Sequence, residues 1–274
     1  PPRSTLDRSS AASDVYKRQD MVDPKVSNGQ PARTAREPDI LPLEVDGLGY
    51  AIRGQWFLKD VGFTLEAGRR TCIVGPNGAG KSLLLRLCHG LLQPSAGTIH
   101  WAAGSSRWRR RQQAMVFQNP VHLRRSARAN VEFALSVQGL DRRAIRERTA
   151  WVLETTGLHH LARRPARVLS GGEQQRLALA RAWALQPKVL FLDEPVVHLD
   201  PAATRMVEEL ILKIDDSGTR IIMVSHDLGQ VRRLADEVVF LHDGRLIEHS
   251  PVTQFLGDSR TAQARACVKG ELLG

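Results

Sequence analysis

Gly75-Pro76-Asn77-Gly78-Ala79-Gly80-Lys81-Ser82 follows the apolar run Thr71-Cys72-Ile73-Val74 and precedes the helix-forming run Leu83 to Leu92. Strand, glycine-rich loop and helix in that order fit a phosphate-binding loop, G-x-x-x-x-G-K-S. The glycines are needed because backbone N–H groups must approach phosphate oxygens closely, at φ values where a Cβ would clash. The helix that follows turns its positive N-terminal end toward the anion. Lys81 is then the residue that reaches the β- and γ-phosphates, and the Ser82 hydroxyl ligates Mg²⁺. At average composition the four fixed positions arise by chance in roughly one chain in a hundred of this length, so the flanking strand and helix matter to the reading.

Three further segments belong with that loop. Val189-Leu190-Phe191-Leu192-Asp193-Glu194-Pro195 is a continuous apolar run ending in two carboxylates, the pattern of a buried parallel strand with chemistry at its C-terminal end. Neighbouring carboxylates on a strand point to opposite faces, so they take different roles: Asp193 holds Mg²⁺ through water, and Glu194 polarises the attacking water. Ile221-Ile222-Met223-Val224-Ser225 reads as another buried strand that delivers His226, placed to bond a γ-phosphate and orient the same water. Gln118 follows Ala114-Met115-Val116-Phe117, where its amide can sense metal and water. Between them lies Ser170-Gly171-Gly172-Glu173-Gln174-Gln175-Arg176, which starts a helix running to Leu185 and makes a second anion-binding N-terminus.

Taken together, these segments resemble the ATP-binding subunit of an ABC transporter. The phosphate loop, the Gln118 loop, the Leu169 to Glu173 signature, the acidic strand with Glu194, the Leu199-Asp200 loop and His226 occur in the family's order across residues 43 to 250. The resemblance implies an α/β fold: a P-loop NTPase (RecA-like) core, an antiparallel β subdomain and an inserted α-helical subdomain carrying the signature. It implies ATP and Mg²⁺ as cofactors. Nucleotide contacts fall to Gly75, Pro76, Asn77, Gly78, Ala79, Gly80, Lys81 and Ser82, and across a homodimer interface to Ser170, Gly171, Gly172 and Asp200. Tyr50, 31 positions before Lys81, takes the place of the family's adenine-stacking aromatic. Catalysis is carried over to Glu194, His226, Lys81 and Gln118, and the metal to Ser82, Gln118 and Asp193. The chain departs from the family at Val196-Val197-His198-Leu199-Asp200, where a small residue is usual; His198 bears on signalling between subunits rather than on ATP binding.

In this family two ATP molecules lie between head-to-tail subunits, the isolated monomer is a poor ATPase, and hydrolysis drives separate membrane-spanning chains. The implied partners are integral-membrane permease subunits and, indirectly, an extracytoplasmic solute-binding protein, at the cytoplasmic face of a bacterial inner membrane. The segments Val116 to Ser126, with Asn130-Val131, and Ser225 to Asp236 are most similar to ATP-binding subunits of oxyanion importers of the tungstate type. Phosphate and molybdate importers are the alternatives, with a soluble ATPase that drives a non-import membrane complex as a further one.

Composition is consistent with this. The chain has 274 residues with 42% hydrophobic content, enough for a sizeable core, and its strands and helices alternate as in α/β proteins. A helical subdomain is expected over about 118–169, with helices at Ala127 to Val137 and Arg142 to Thr156. No run approaches the ~18 apolar residues that span a bilayer. Cys72, Cys88 and Cys267 lack C-x-x-C spacing and read as reduced thiols. His159-His160 beside Arg163-Arg164 reads as a solvated turn rather than a metal site. The net charge of +10 is concentrated in part at Arg107 to Arg111 and Arg124, Arg125 and Arg128. Such clusters suit phosphate backbones, anionic headgroups or a permease equally. The coiled-coil or zinc insertions of DNA-repair relatives and the duplication of translation-factor relatives are missing, so no nucleic-acid partner is expected. Residues 1–40, polar and charged, are expected to be a disordered leader; Ser9 to Gln19 resembles a translated artefact, with Met21 as the expected start. The ATP-binding domain is expected over 41–250. Residues 251–274 form a short extension, too small for an appended regulatory domain.

Overall fold

The computed structural model describes residues 40–271. The leader and its Met21 start lie outside the described residues, except for Ile40, which is fully buried and so belongs to the folded domain.

Strand β1 (Leu43–Ile52) pairs antiparallel with β2 (Gln55–Leu65) and with β4 (Ala96–Trp101), forming a three-stranded sheet in the order β2-β1-β4. The second sheet has six strands in the order β5-β6-β7-β3-β8-β9: β5 (Gln113–Val116), β6 (Val189–Asp193), β7 (Arg220–Val224), β3 (Thr71–Val74), β8 (Glu237–His242) and β9 (Arg245–Pro251). The first five of these are parallel to their neighbours, and β9 closes the edge antiparallel to β8.

The apolar runs are continuous because the sheet is buried on both faces. Alternate residues divide between two cores: Cys72, Val74, Leu190, Leu192, Ile221 and Met223 enter one, while Ile73, Val189, Phe191, Ile222 and Val224 enter the other. The second core is covered by α1 (Lys81–His89) and by the three-stranded sheet. α1 stops at Gly90, which adopts φ 85° as a left-handed C-cap, so the helix ends earlier than the apolar run to Leu92 suggests. A short α2 (Ser106–Arg111) leads into β5.

The segment between β5 and β6 is helical. α3 (Ala127–Val137) starts at Ser126, whose hydroxyl accepts from Ala129 N, and α4 (Arg142–Thr155) starts at Asp141, whose carboxylate accepts from Arg143 N and Ala144 N. Both pack on α5 (Gly171–Ala184), which returns the chain to β6. α6 (Pro201–Asp216) and α7 (Leu228–Leu234) complete the cover of the first core.

The expected boundary at residue 250 falls inside β9, where Pro251 still pairs with Glu237. Beyond it, α8 (Val252–Gly257) and α9 (Ala262–Lys269) join the first core through fully buried Phe255 and Ala264. Buried Glu248 fixes this corner by accepting from Arg260 N at 3.0 Å and Thr261 N at 3.2 Å. The C-terminal residues are therefore part of the domain rather than an extension; their apolar positions are too few and too short in period to announce it. Among the described residues, no helix is long and apolar enough to cross a membrane.

Candidate functional site

The Gly75 to Ser82 loop leaves the C-terminal end of β3 with three glycines at positive φ, two of them also in close contact with their surroundings. Gly75 has φ 153°, and a Cβ there would meet the Leu241 carbonyl oxygen at 2.1 Å. Gly80 has φ 95°, and its Cβ would meet Leu58 Cδ2 at 2.6 Å and the Phe57 carbonyl oxygen at 3.2 Å. The loop thus rests on the β8 backbone at Gly75 and on the Leu58 side chain and Phe57 carbonyl of β2 at Gly80. Lys81, the first residue of α1, is 6% exposed and donates from Nζ to the Gly75 carbonyl at 2.7 Å and to the Pro76 carbonyl at 2.9 Å. Burial lowers the pKa of this ammonium, and the nearby Glu194 and Asp193 carboxylates oppose the shift.

The two carboxylates at the end of β6 part as strand geometry requires. Asp193, 2% exposed, accepts a 2.6 Å hydrogen bond from Ser82 Oγ on Oδ1, while its Oδ2 lies 3.6 Å from Arg86 Nη2. Glu194 turns the chain at φ 47°, with its N–H donated to the Val224 carbonyl. Its Oε2 accepts from Gln118 Nε2 at 3.3 Å and lies 3.3 Å from His226 Nδ1. An amide and an imidazole from the ends of β5 and β7 therefore converge on one oxygen of the carboxylate at the end of β6. Lys81, Ser82, Gln118, Asp193, Glu194 and His226 gather at the C-terminal edge of the parallel strands.

Ser170, Gly171 and Gly172 lie elsewhere in the chain, at the corner of α5 and α6. Ser170 Oγ accepts from Glu173 N at 3.3 Å and Glu173 Oε2 accepts from Ser170 N at 2.8 Å, a reciprocal cap on α5. A Cβ on Gly172 would come within 2.7 Å of Ala203 Cβ, so this glycine lets α5 start directly against α6. Asp200 caps α6, accepting from Ala202 N and Ala203 N at 2.9 and 2.8 Å. His198 is exposed at φ 63° in the turn between Glu194 and that cap. Tyr50 lies half-buried on β1, against the core beneath the three-stranded sheet.

The donors around Ser82 and Asp193 are hard oxygens, suited to a divalent cation that takes its remaining ligands from phosphates and water. Among the described residues no group of three or more His, Cys, Asp or Glu side chains forms a self-sufficient metal site. Ser82 and Asp193 thus fit a cation such as Mg²⁺ that arrives with a nucleotide. The sequence does not single out Arg86; its signal is the four-residue spacing from Ser82 on one helix face.

The family model described as ABC transporter matches residues 58–197. The chain belongs to the ABC transporter ATP-binding family. It is 37% identical over 253 residues to the phosphate import ATP-binding protein PstB 2 of Natronomonas pharaonis, covering 84% of this chain and 87% of that protein. It is 35% identical over 209 residues to the tungstate uptake system ATP-binding protein TupC of Peptoclostridium acidaminophilum, covering 76% of this chain and 98% of the relative. Among solved structures, cbiO1 from Clostridium perfringens, described as part of the ABC transporter complex cbiONQ, superposes with a TM-score of 0.73 at 31% identity over 81% of this chain and 92% of its own. Other relatives at similar identity are named for methionine, ferric-ion and nickel import. This ABC protein accordingly binds ATP and is an ATPase coupled to transport, on an α/β P-loop fold.

Proposed function

We propose that the chain is the ATP-hydrolysing subunit of an importer, that it acts as a head-to-tail homodimer, and that its cargo is an oxyanion, tungstate in the first place. The observation that carries the catalytic part is the convergence of Gln118 and His226 on Glu194 Oε2 at the end of β6. The Gln118 amide and the neighbouring His226 ring hold the carboxylate through Oε2 and leave Oε1 to take a proton from water, the task of a general base. Lys81 places a positive charge beside the loop that cradles the phosphates, where charge develops as the γ-phosphoryl group leaves. Ser82, Asp193 and Gln118 hold Mg²⁺, which when bound supplies further charge stabilisation at the phosphate oxygens.

Ser170, Gly171 and Gly172 present the N-terminus of α5 to the nucleotide of a second copy, and Asp200 stands at the same interface. Closing the pair on two ATP molecules and reopening it after hydrolysis moves permease subunits docked at the helical subdomain and the Gln118 loop. A solute-binding protein on the far side of the membrane delivers the cargo, with this subunit at the cytoplasmic face. Tungstate rests on the likeness of 116–126 and 225–236 to tungstate-type subunits and on the relative covered over 98% of its length. Phosphate is the second reading, favoured by the 253-residue match to a phosphate import protein.

The test is uptake of tungsten, molybdenum and phosphorus, read by elemental mass spectrometry in cells lacking this chain and restored with the natural sequence or Lys81→Ala. Selective loss of tungsten, rescued only by the natural chain, supports the tungstate reading; selective loss of phosphorus moves the cargo to phosphate. Unchanged uptake of all three discards oxyanion import.

A further inference from the structure

Arg86 stands four residues beyond Ser82 on α1, so the two side chains share a helix face. That face brings them to the two oxygens of one carboxylate, Ser82 Oγ at 2.6 Å from Asp193 Oδ1 and Arg86 Nη2 at 3.6 Å from Oδ2. A carboxylate as buried as Asp193 requires compensating charge. The guanidinium supplies it at a distance too long for a formed hydrogen bond. Its side chain is 41% exposed, and its Nε is buried without a partner. Arg233 shows the contrast: it grips Glu208 with two bonds of 2.8 and 2.7 Å. Arg86 is loosely held where Arg233 is clamped.

We propose that Arg86 is an exchangeable counter-ion for Asp193: it positions the carboxylate until Mg²⁺ takes over the charge, and so it sets the metal affinity of the site. The inference rests on the reading that Ser82 and Asp193 hold Mg²⁺. Two cations beside one carboxylate repel each other, and the half-exposed guanidinium is the one that can yield by swinging into water. Its presence lowers metal affinity, because binding must displace or repel it. A divalent ion about 4 Å from a unit positive charge is repelled even in a water-like dielectric by an amount worth roughly thirtyfold in affinity. Outward movement of the side chain relieves part of this, so removal of the charge should tighten metal binding by about fivefold.

The experiment is titration of the full-length chain, saturated with a slowly hydrolysed ATP analogue, with Mn²⁺ as the probe and electron paramagnetic resonance of free Mn²⁺ as the readout. Arg86→Gln should bind Mn²⁺ about fivefold more tightly than the natural chain and show a larger Mn²⁺-dependent rise in melting temperature, while Arg86→Lys stays close to the natural chain. Arg86→Met, which keeps the aliphatic stem, serves in its place if the Gln variant does not fold. Asp193→Asn separates the two layers of the argument. If it weakens Mn²⁺ binding while Arg86→Gln binds as the natural chain does or less tightly, the counter-ion role is wrong and the metal reading stands. If Asp193→Asn binds like the natural chain, the metal reading falls, and the inference with it.

Discussion

Replacing Glu194 with Gln is the sharpest perturbation of the site, because it changes one acceptor and little of the shape. The carboxylate side chain is 14% exposed; its Oε2 accepts from Gln118 Nε2 at 3.3 Å and lies 3.3 Å from His226 Nδ1. Lys81 and Ser82, proposed to meet the phosphates and metal, make their bonds elsewhere, to the Gly75 and Pro76 carbonyls and to Asp193. The amide therefore removes the proton acceptor and leaves the phosphate cradle in place. A positioned general base contributes about 10²- to 10⁴-fold. That range corresponds to a rise of roughly 3–5 kcal/mol in the barrier. Phosphate release at saturating ATP should fall by at least a hundredfold, nucleotide affinity should change by less than about threefold, and light scattering should detect an ATP-dependent dimer that persists. A turnover within tenfold of the natural chain would refute the general-base assignment. A loss of ATP binding in parallel with turnover would place Glu194 among the binding groups instead.

Two other outcomes test the fold around the site. Phe255→Ala should cost about 3–5 kcal/mol in denaturant unfolding, because this ring is fully buried, 5.6 Å from the Phe240 ring, and its loss opens a cavity in the first core; a cost below about 1 kcal/mol would make the C-terminal helices peripheral. His122, 5% exposed in the segment after Gln118, has its pKa lowered to about 4 by burial and by the Arg181 charge. Its folded form stays neutral where the unfolded chain takes up a proton, so the stability it contributes is present above about pH 6.5 and is lost as pH falls toward 4. Urea midpoints at pH 7 and pH 5 should draw together in His122→Asn, by about 1 kcal/mol per pH unit, and an unaltered pH slope would contradict the assignment.

The local backbone requirements were legible in the residues themselves. Gly75 to Ser82 announced a backbone that needs glycine, and at Gly75 and Gly80 the approach of Leu241, Leu58 and Phe57 leaves no room for a Cβ. The two-sided burial of β3, β6 and β7 was written in their unbroken apolar runs, and α3, α4 and α5 begin at Ser126, Asp141 and Ser170, the capping residues that stop a chain from entering a helix earlier. Both kinds of signal are local, a matter of residue type and short spacing.

Tertiary structure decided what depends on segments distant in sequence. Gln118 and His226 meet one oxygen of Glu194 only because β5, β6 and β7 lie side by side, and Arg86 comes near Asp193 only because α1 packs over the end of β6. Gly172 looked like part of an anion site, yet it also sets how closely α5 approaches α6 through Ala203. The C-terminal helices are built in by Phe255 and by Glu248, whose partners at Arg260 and Thr261 give no pattern to read in advance. Residue types set which bonds and conformations were possible; the packing of the sheet selected which of them meet.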